Sequence, residues 1–198
     1  MLIDTLINAA APKVKHRLWV ISDLQQQLPE RSTHCMTRAA ADFLLLNLSC
    51  DAICYLGDSV EGHNIDFLRE MAAMQIRELG QIDAPIYYIP GNHDFDYFRA
   101  YGEQIRRMEI PFLDCVRPHP QWRIRQDISE MFFTVDLGDI ALAFFPDHAD
   151  PDGKWFTSHG IIRGDESAYP YSEADYKRCM EEIRALNKPV ISFSHYSF

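Results

Sequence analysis

The chain has 198 residues, of which 47% are apolar and 24% charged, a composition typical of a globular protein with enough chain for one sizeable core. Its formal net charge of −10 disfavours a broad face for nucleic-acid phosphates, although bound metal ions can reverse such a field locally. No stretch reaches the roughly 18 apolar residues of a membrane span and no signal-peptide pattern opens the chain, so we expect a cytoplasmic protein with no membrane contact.

In the first half of the chain, apolar runs alternate with stretches whose apolar residues recur at helical spacing. This alternation predicts an α/β layered fold. The predicted elements are strands at 18–21, 52–56 and 86–89 and helices at 33–48, 65–79 and about 95–108.

The pattern changes in the second half, where short apolar runs surround a tight turn predicted at Gly138. A capping box beginning at Ser172 indicates that another helix follows. The predictions here are antiparallel hairpin segments at 121–125, 131–136 and 139–145, a long polar loop at 146–171, a helix from Ser172 to Leu186 and a core strand at 190–193.

Four of the predicted strands end in residues that can bind a metal ion. Because the carboxyl ends of parallel strands lie along one edge of a sheet, we expect these residues to meet there. Carboxylates, an amide oxygen and imidazole suit Mn²⁺, Fe or Zn²⁺, and a carboxylate can bridge two ions that act on a phosphoryl group. In chain order, the candidates are Asp23 and Gln25, Asp58 and Glu61, Asn92 and His93, and His195.

Each candidate also has an ordinary structural interpretation when it is considered alone. Asp23 and Asp58 are of a type that caps helices, and Gly91-Asn92 is a common turn dipeptide. His195 alone would more often be a core histidine. The occurrence of such residues at four strand ends, in this order, is what favours a metal site.

Four segments resemble the first four motifs of the calcineurin-like metallophosphoesterases: Ile21-Ser22-Asp23, Gly57-Asp58-Ser59-Val60-Glu61, Gly91-Asn92-His93-Asp94 and Ser194-His195. The resemblance runs from about residue 17 to the end, and Gly-Asn-His-Asp after a strand and a proline is its most specific element. It implies a β-sandwich flanked by helices, formed as one domain by residues 1–198.

The resemblance also implies a site with two divalent metal ions. Asp58 would bridge both ions, Asp23 would bind the first, and Asn92 and His195 would bind the second. Gln25 stands where the family usually has histidine, so the first site is expected to be weaker or tuned toward harder ions. Mn²⁺ is the expected ion, with Fe, Zn²⁺ and Mg²⁺ as alternatives.

The same resemblance implies hydrolysis of phosphate mono- or diesters by in-line attack of a metal-activated water. His93 would protonate the leaving group, and Glu61 would orient that imidazole; the alternative for Glu61 is a solvated carboxylate at a helix start. Asp94 is expected to cap the following helix. The expected substrate is a phosphorylated small molecule or nucleotide.

The family's fifth motif, Gly-His-x-His, does not occur in this sequence, which ends three residues after His195. We therefore expect a domain that is truncated at its C-terminal end, with a naturally short protein as the alternative. Such a chain is expected to bind metal loosely and to associate with itself through an exposed sheet edge. His63 and His148 are the first candidates for completing the site.

Two other functions remain open at this stage. A nuclease of the double-strand-break-repair type shares these motifs, but the acidic charge disfavours it. A metal-poor protein-binding scaffold is favoured by Gln25 and by the missing motif, and is disfavoured by the retention of the other candidates.

The five cysteines lack a CxxC spacing, so we interpret them as reduced thiols.

Overall fold

A computed structural model describes residues 14–24, 29–60, 65–91, 94, 111–124, 132–145, 156–157, 160–161 and 173–195. Within these ranges, the helices are α1 (Pro29–Leu45), α2 (Ile65–Leu79), α3 (Pro111–Val116) and α4 (Glu173–Ala185). The strands are β1 (Leu18–Ile21), β2 (Ala52–Tyr55), β3 (Ile86–Tyr88), β4 (Trp122–Arg123), β5 (Phe133–Asp136), β6 (Ala141–Phe145), β7 (Phe156–Thr157), β8 (Gly160–Ile161) and β9 (Val190–Ser194). No helix of this described part is long and apolar enough to cross a membrane.

The strands form two main sheets. The first is parallel, with the order β1-β2-β3-β4. The second has the order β5-β6-β9, in which β5 is antiparallel and β9 parallel to β6. The sheets and helices together form the α/β layered fold that the sequence pattern predicts and the β-sandwich flanked by helices that the resemblance implies.

Several boundaries and pairings differ from the sequence predictions. The helix predicted at 33–48 begins earlier, at Pro29, and the segment 95–108 lies outside the described residues. The prediction of antiparallel pairing at 121–125 is wrong, because β4 pairs parallel with β3. The chain between β3 and β4 is long enough for a crossover and contains α3, which permits this parallel pairing.

The second half of the chain brings two further corrections. The segment 146–171 contains a small antiparallel pair, β7 with β8, where we predicted only a loop. The last strand, β9, belongs to the second sheet, so the four strands that precede candidate ligands do not share one parallel sheet. An apolar run such as 190–193 has the same pattern in either sheet, which is why the sequence does not distinguish them. The prediction of a core strand here is correct only in part, because Phe193 is buried whereas Ile191 is 43% exposed.

Alternation along β2 explains why the first sheet has a core on each face. Ile53 and Tyr55 pack into the cluster that includes the helices, whereas Ala52 and Cys54 pack into the cluster between the sheets. Successive side chains of a strand point to opposite faces, so a strand buried on both faces carries no polar position. All four of these side chains are fully buried.

An aromatic group fills the space between the two sheets. The Phe144 ring lies 4.7 Å from the Phe133 ring, 5.1 Å from Phe193 and 5.8 Å from Tyr87 of the first sheet, measured between centroids. Aromatic pairs at these distances add to the burial of their area. Truncation of Phe144 to alanine would cost about 3–5 kcal/mol, so this layer fixes how the two sheets face each other.

Two helices end at asparagines in the left-handed region. Asn47 follows α1 with a φ of 48°, and Asn187 follows α4 with a φ of 48°. Asparagine tolerates this conformation better than other residues that carry a Cβ, and the conformation turns the chain out of the helix. These ends allow α1 and α4 to lead directly into β2 and β9, the strands that precede two of the candidate ligands.

Candidate metal centre

The structure brings together three of the predicted ligands. Asp23 lies just after β1, Asp58 shortly after β2 and His195 directly after β9. One ligand atom from each lies within 4.8 Å of the others, and the Nε2 atom of His195 is 3.4 Å from an oxygen of Asp58. Asp23 is exposed, whereas the side chains of Asp58 and His195 are only 3% and 6% exposed. The cluster therefore has a buried base and a side that solvent can reach.

A backbone hydrogen bond fixes the ring of His195. Its Nδ1 lies 2.7 Å from the carbonyl oxygen of Leu56, and because a carbonyl can only accept, Nδ1 carries the hydrogen and donates. The unprotonated lone pair of a neutral ring is then on Nε2, which faces Asp58. Histidine ligands of metals characteristically donate their second nitrogen in this way.

The backbone at both aspartates lies in the left-handed region. The φ angles are 58° at Asp23 and 51° at Asp58, and Gly57 has a φ of 82°. This region costs a residue with a Cβ roughly 1–2 kcal/mol, and such strain clusters at functional sites. The amide of Asp23 donates to the carbonyl of Gly57 at 3.1 Å, so the two strained loops support each other.

Two glycines allow the loops to approach closely. A Cβ on Gly57 would lie 2.5 Å from the carbonyl carbon of Pro90 and 2.7 Å from the Cα of Gly91. A Cβ on Gly91 would lie 2.6 Å from the amide nitrogen of Asp58 and 2.7 Å from Cε1 of His195. These separations are far below ordinary contact distance, so the site requires glycine at both positions.

Asp94 has a structural role that the sequence did not reveal. The prediction that it caps the following helix does not account for its bonds: its fully buried carboxylate accepts from the amides of Asp58 and Gly91, each at 2.7 Å, and from that of Ser59 at 2.8 Å. The hydroxyl of Ser59 also donates to it. Burial raises the pKa of Asp94, and the bonds from Ser59 and Gly91 only partly offset this effect. Asp94 thus holds the Asp58 loop and the Gly91 loop together.

The site carries an excess of negative charge. Burial lowers the pKa of His195, but the hydrogen bond and charge of Asp58, the Leu56 carbonyl and the charge of Asp23 raise it by more, to about 9. The pKa of Tyr55 is well above its ordinary value because of burial and then of the carboxylates of Asp94, Asp58 and Asp23. Such a field attracts cations.

The three side chains fit a divalent metal ion. Two ligands on one ion, each at about 2.0–2.2 Å, can lie no more than roughly 4.4 Å apart. The separation between His195 and Asp58 satisfies this limit, and the spread of the whole cluster, up to 4.8 Å, suits two ions that share a carboxylate. Two carboxylates and an imidazole are donors that Mn²⁺, Fe and Zn²⁺ accept.

The other residues predicted for the site, including the two candidates for completing it, lie outside the described residues: Gln25, Glu61, His63, Asn92, His93 and His148. Their roles stay predictions. The neighbours that are described, Gly91 and Asp94, flank Asn92 and His93 and contact the Asp58 loop. The sequence carries no local signal for the bonds of Asp94 to the amides of Asp58 and Ser59, because these bonds join segments 36 and 35 residues apart.

Comparison with known proteins identifies the family of the chain. Among solved structures, a dimetal phosphatase from Danio rerio has a similar fold, with a TM-score of 0.57, 12% sequence identity, and coverage of 90% of this chain and 68% of its own. A search of curated proteins finds no significant match. A sequence model described as calcineurin-like phosphoesterase matches residues 16–197. Because that match spans nearly the whole sequence, the chain belongs to the calcineurin-like phosphoesterase family.

Proposed function

We propose that this protein hydrolyses phosphate esters with the help of two divalent metal ions. The observation that carries the proposal is the cluster of Asp23, Asp58 and His195, in which Nε2 of the imidazole lies 3.4 Å from an oxygen of Asp58. These residues come from two different sheets, and a backbone hydrogen bond holds the ring in the orientation that a metal ligand needs.

Asp58 is the natural bridging ligand because it is the most buried of the three and lies closest to His195. Asp23, on the exposed side, would bind the first ion, with Gln25 beside it. His195 would bind the second ion together with Asn92. Because Gln25 offers only a neutral amide oxygen, the first ion should be held more weakly than the second.

When bound, the two ions would polarise the phosphoryl group and lower the pKa of a water molecule for in-line attack. The chain itself would hold the carboxylates in place through Asp94 and Gly91, and would keep water from the buried side of Asp58. His93 would donate a proton to the leaving oxygen, and Glu61 would orient that ring. The exposed position of Asp23 leaves one side of the site open to a substrate.

We also propose a phosphorylated small molecule or nucleotide as the substrate, Mn²⁺ as the preferred ion and the cytoplasm as the location. The net charge of −10 would repel a long nucleic acid, whereas a small phosphorylated compound approaches only the local field of the bound ions. Hydrolysis of phosphomonoesters, cyclic nucleotides and single-stranded DNA should be compared under the same metal conditions. A clear preference for single-stranded DNA would favour the nuclease.

The test of the function is Asp58→Asn, with Asp114→Asn as the matched control. Asp114 is an exposed aspartate whose partner is Arg117, so its replacement changes the same chemistry away from the site. Asp58→Asn should lower the metal content per chain, measured by elemental analysis after dialysis, and abolish hydrolysis of p-nitrophenyl phosphate and bis-p-nitrophenyl phosphate. Asp114→Asn should do neither. Unchanged metal content and activity in Asp58→Asn would refute the assignment, and a wild-type chain that binds no metal would favour the scaffold.

A further inference from the structure

Gln75 is a polar residue at the centre of the apolar face of α2. It is fully buried, and its neighbours on that face, Leu68, Ala72 and Leu79, are buried core residues. A buried amide is unfavourable unless its hydrogen bonds are satisfied, so its presence in a core requires a specific reason.

Both ends of the Gln75 side chain have a partner. Its Oε1 accepts from the hydroxyl of Tyr55 at 2.8 Å, and its Nε2 donates to the backbone carbonyl of Ser59 at 2.8 Å. The Ser59 carbonyl can only accept, which fixes the orientation of the amide. Gln75 therefore links α2 and β2 to the loop that follows β2.

The loop that receives this bond carries the proposed bridging ligand. Ser59 directly follows Asp58, whose φ of 51° is in the left-handed region. Asp94 binds the amides of Asp58 and Ser59, and Gln75 binds the carbonyl of Ser59. Asp94 thus holds the amide groups of this backbone segment, and Gln75 holds its carbonyl group.

We infer that Gln75 is a positioning residue for Asp58, and that it sets the affinity of the site for divalent metal ions. The inference rests on the proposed function, because it assigns Asp58 as a metal ligand. Without the bond to its carbonyl, Ser59 can rotate and Asp58 can relax toward an ordinary φ, which moves its carboxylate away from His195. Residues that orient metal ligands characteristically change metal affinity by roughly 10- to 100-fold when they are replaced.

The decisive variant is Gln75→Met, which keeps an unbranched side chain of similar length and removes the amide. Gln75→Leu removes the same amide and serves if the methionine variant does not fold. Leu79→Val is the matched control, because it loses one buried methylene from the same helix and no described hydrogen bond to the Asp58 loop. Far-ultraviolet circular dichroism should confirm that each variant is folded at the assay temperature.

The primary measurement is the dissociation constant for Mn²⁺, from competition with a chromophoric chelator. We expect the Gln75 variants to bind Mn²⁺ about 10- to 100-fold more weakly than the wild type, and Leu79→Val to remain within about 2-fold. The Co²⁺-loaded forms should show an altered visible spectrum in the Gln75 variants alone. Equal affinities in the Gln75 variants and the wild type would overturn the inference and leave the proposed function intact.

Hydrogen exchange separates the inference from the proposed function. In metal-free protein, the amides of Asp58 and Ser59 should exchange on the order of 10-fold faster in the Gln75 variants than in Leu79→Val, because the loop has lost a hydrogen bond. If the wild type binds no metal, the proposed function fails and this comparison alone decides the positioning role. Equal exchange in the two kinds of variant would overturn that role.

Discussion

The close approach of Gly91 to two ligands makes Gly91→Ala the sharpest test of the site. An added Cβ would lie 2.6 Å from the amide nitrogen of Asp58 and 2.7 Å from Cε1 of His195. Gly91 does not have a φ angle in the left-handed region, so the substitution acts only through the contacts of the added methyl group. It adds one methyl group between Asp58 and His195 and changes no charge.

The expected magnitude follows from these distances. Ordinary contacts between carbon atoms are about 3.5–4.0 Å, so the added atom must be accommodated by a separation of roughly 1 Å. Overpacking of this kind costs about 1–3 kcal/mol of stability. A displacement of about 1 Å in an active site can lower the rate about 10²-fold. We therefore expect a folded protein with a modest loss of stability and a large loss of activity.

Gly138→Ala is the matched control. Gly138 has a φ of 94° in the turn between β5 and β6, and an added Cβ would meet nothing within 4 Å. Its replacement should lower stability by roughly 1–2 kcal/mol through backbone strain alone, which is comparable to the loss expected for Gly91→Ala. Thermal unfolding, Mn²⁺ affinity and hydrolysis of bis-p-nitrophenyl phosphate should be measured on both variants. If Gly91→Ala retains metal affinity and rate while Gly138→Ala shows the same stability loss, the site does not depend on this packing and the proposed ligand arrangement is wrong.

Further predictions concern groups with distinct chemistry. His93→Ala should keep its metal and lose activity by roughly 10²–10⁴-fold, with a smaller loss for good leaving groups such as p-nitrophenol; an equal loss for poor and good leaving groups would remove His93 from the acid role. Burial, with a smaller effect of Cys50, raises the pKa of Cys54 to about 12, so this thiol should resist iodoacetamide at pH 8 in the native protein while the exposed Cys35 reacts. Peptide mass spectrometry measures the modification of each cysteine. Modification of Cys54 as fast as that of Cys35 would contradict the burial of β2.

Much of the first sheet could be predicted because its signals are local. The strand at 18–21 has the predicted bounds, and those at 52–56 and 86–89 end one residue earlier. Strongly apolar runs bounded by turn residues identify such strands without knowledge of their partners. Asp23 and Asp58 follow two of these runs, which is why their meeting could be expected from chain order alone.

The arrangement of the second sheet could not be predicted, because it depends on contacts between distant segments. β9 pairs with β6 across a long interval of chain, and β4 has only two residues, too few to indicate a pairing direction. The bonds of Asp94 to the Asp58 loop could not be predicted, because the nearest structural use of an aspartate before a helix is a cap. Gln75 carried a readable signal, since it interrupts an apolar stripe at helical spacing, but its partners are set by tertiary structure.

The charge of the site predicts that metal ions stabilise the folded protein. Asp23, Asp58 and Asp94 are all close enough to raise the pKa of Tyr55, and backbone packing holds them together against their mutual repulsion. An ion bound only by the folded state adds about 2.7 kcal/mol of stability at 100 times its dissociation constant.

For a chain of this size, each kcal/mol raises the melting temperature by roughly 2–4 °C, so saturating Mn²⁺ should raise it by about 5–11 °C. The comparison is with Asp58→Asn, in which the loss of one charge weakens ion binding and also removes the ion pair that raises the pKa of His195. That variant should therefore show an equal or lower melting temperature without metal, and a smaller rise with Mn²⁺, both measured by differential scanning calorimetry. A wild type whose melting temperature is indifferent to Mn²⁺ would mean that no ion binds to the folded cluster and that Asp58 and His195 form only a structural ion pair.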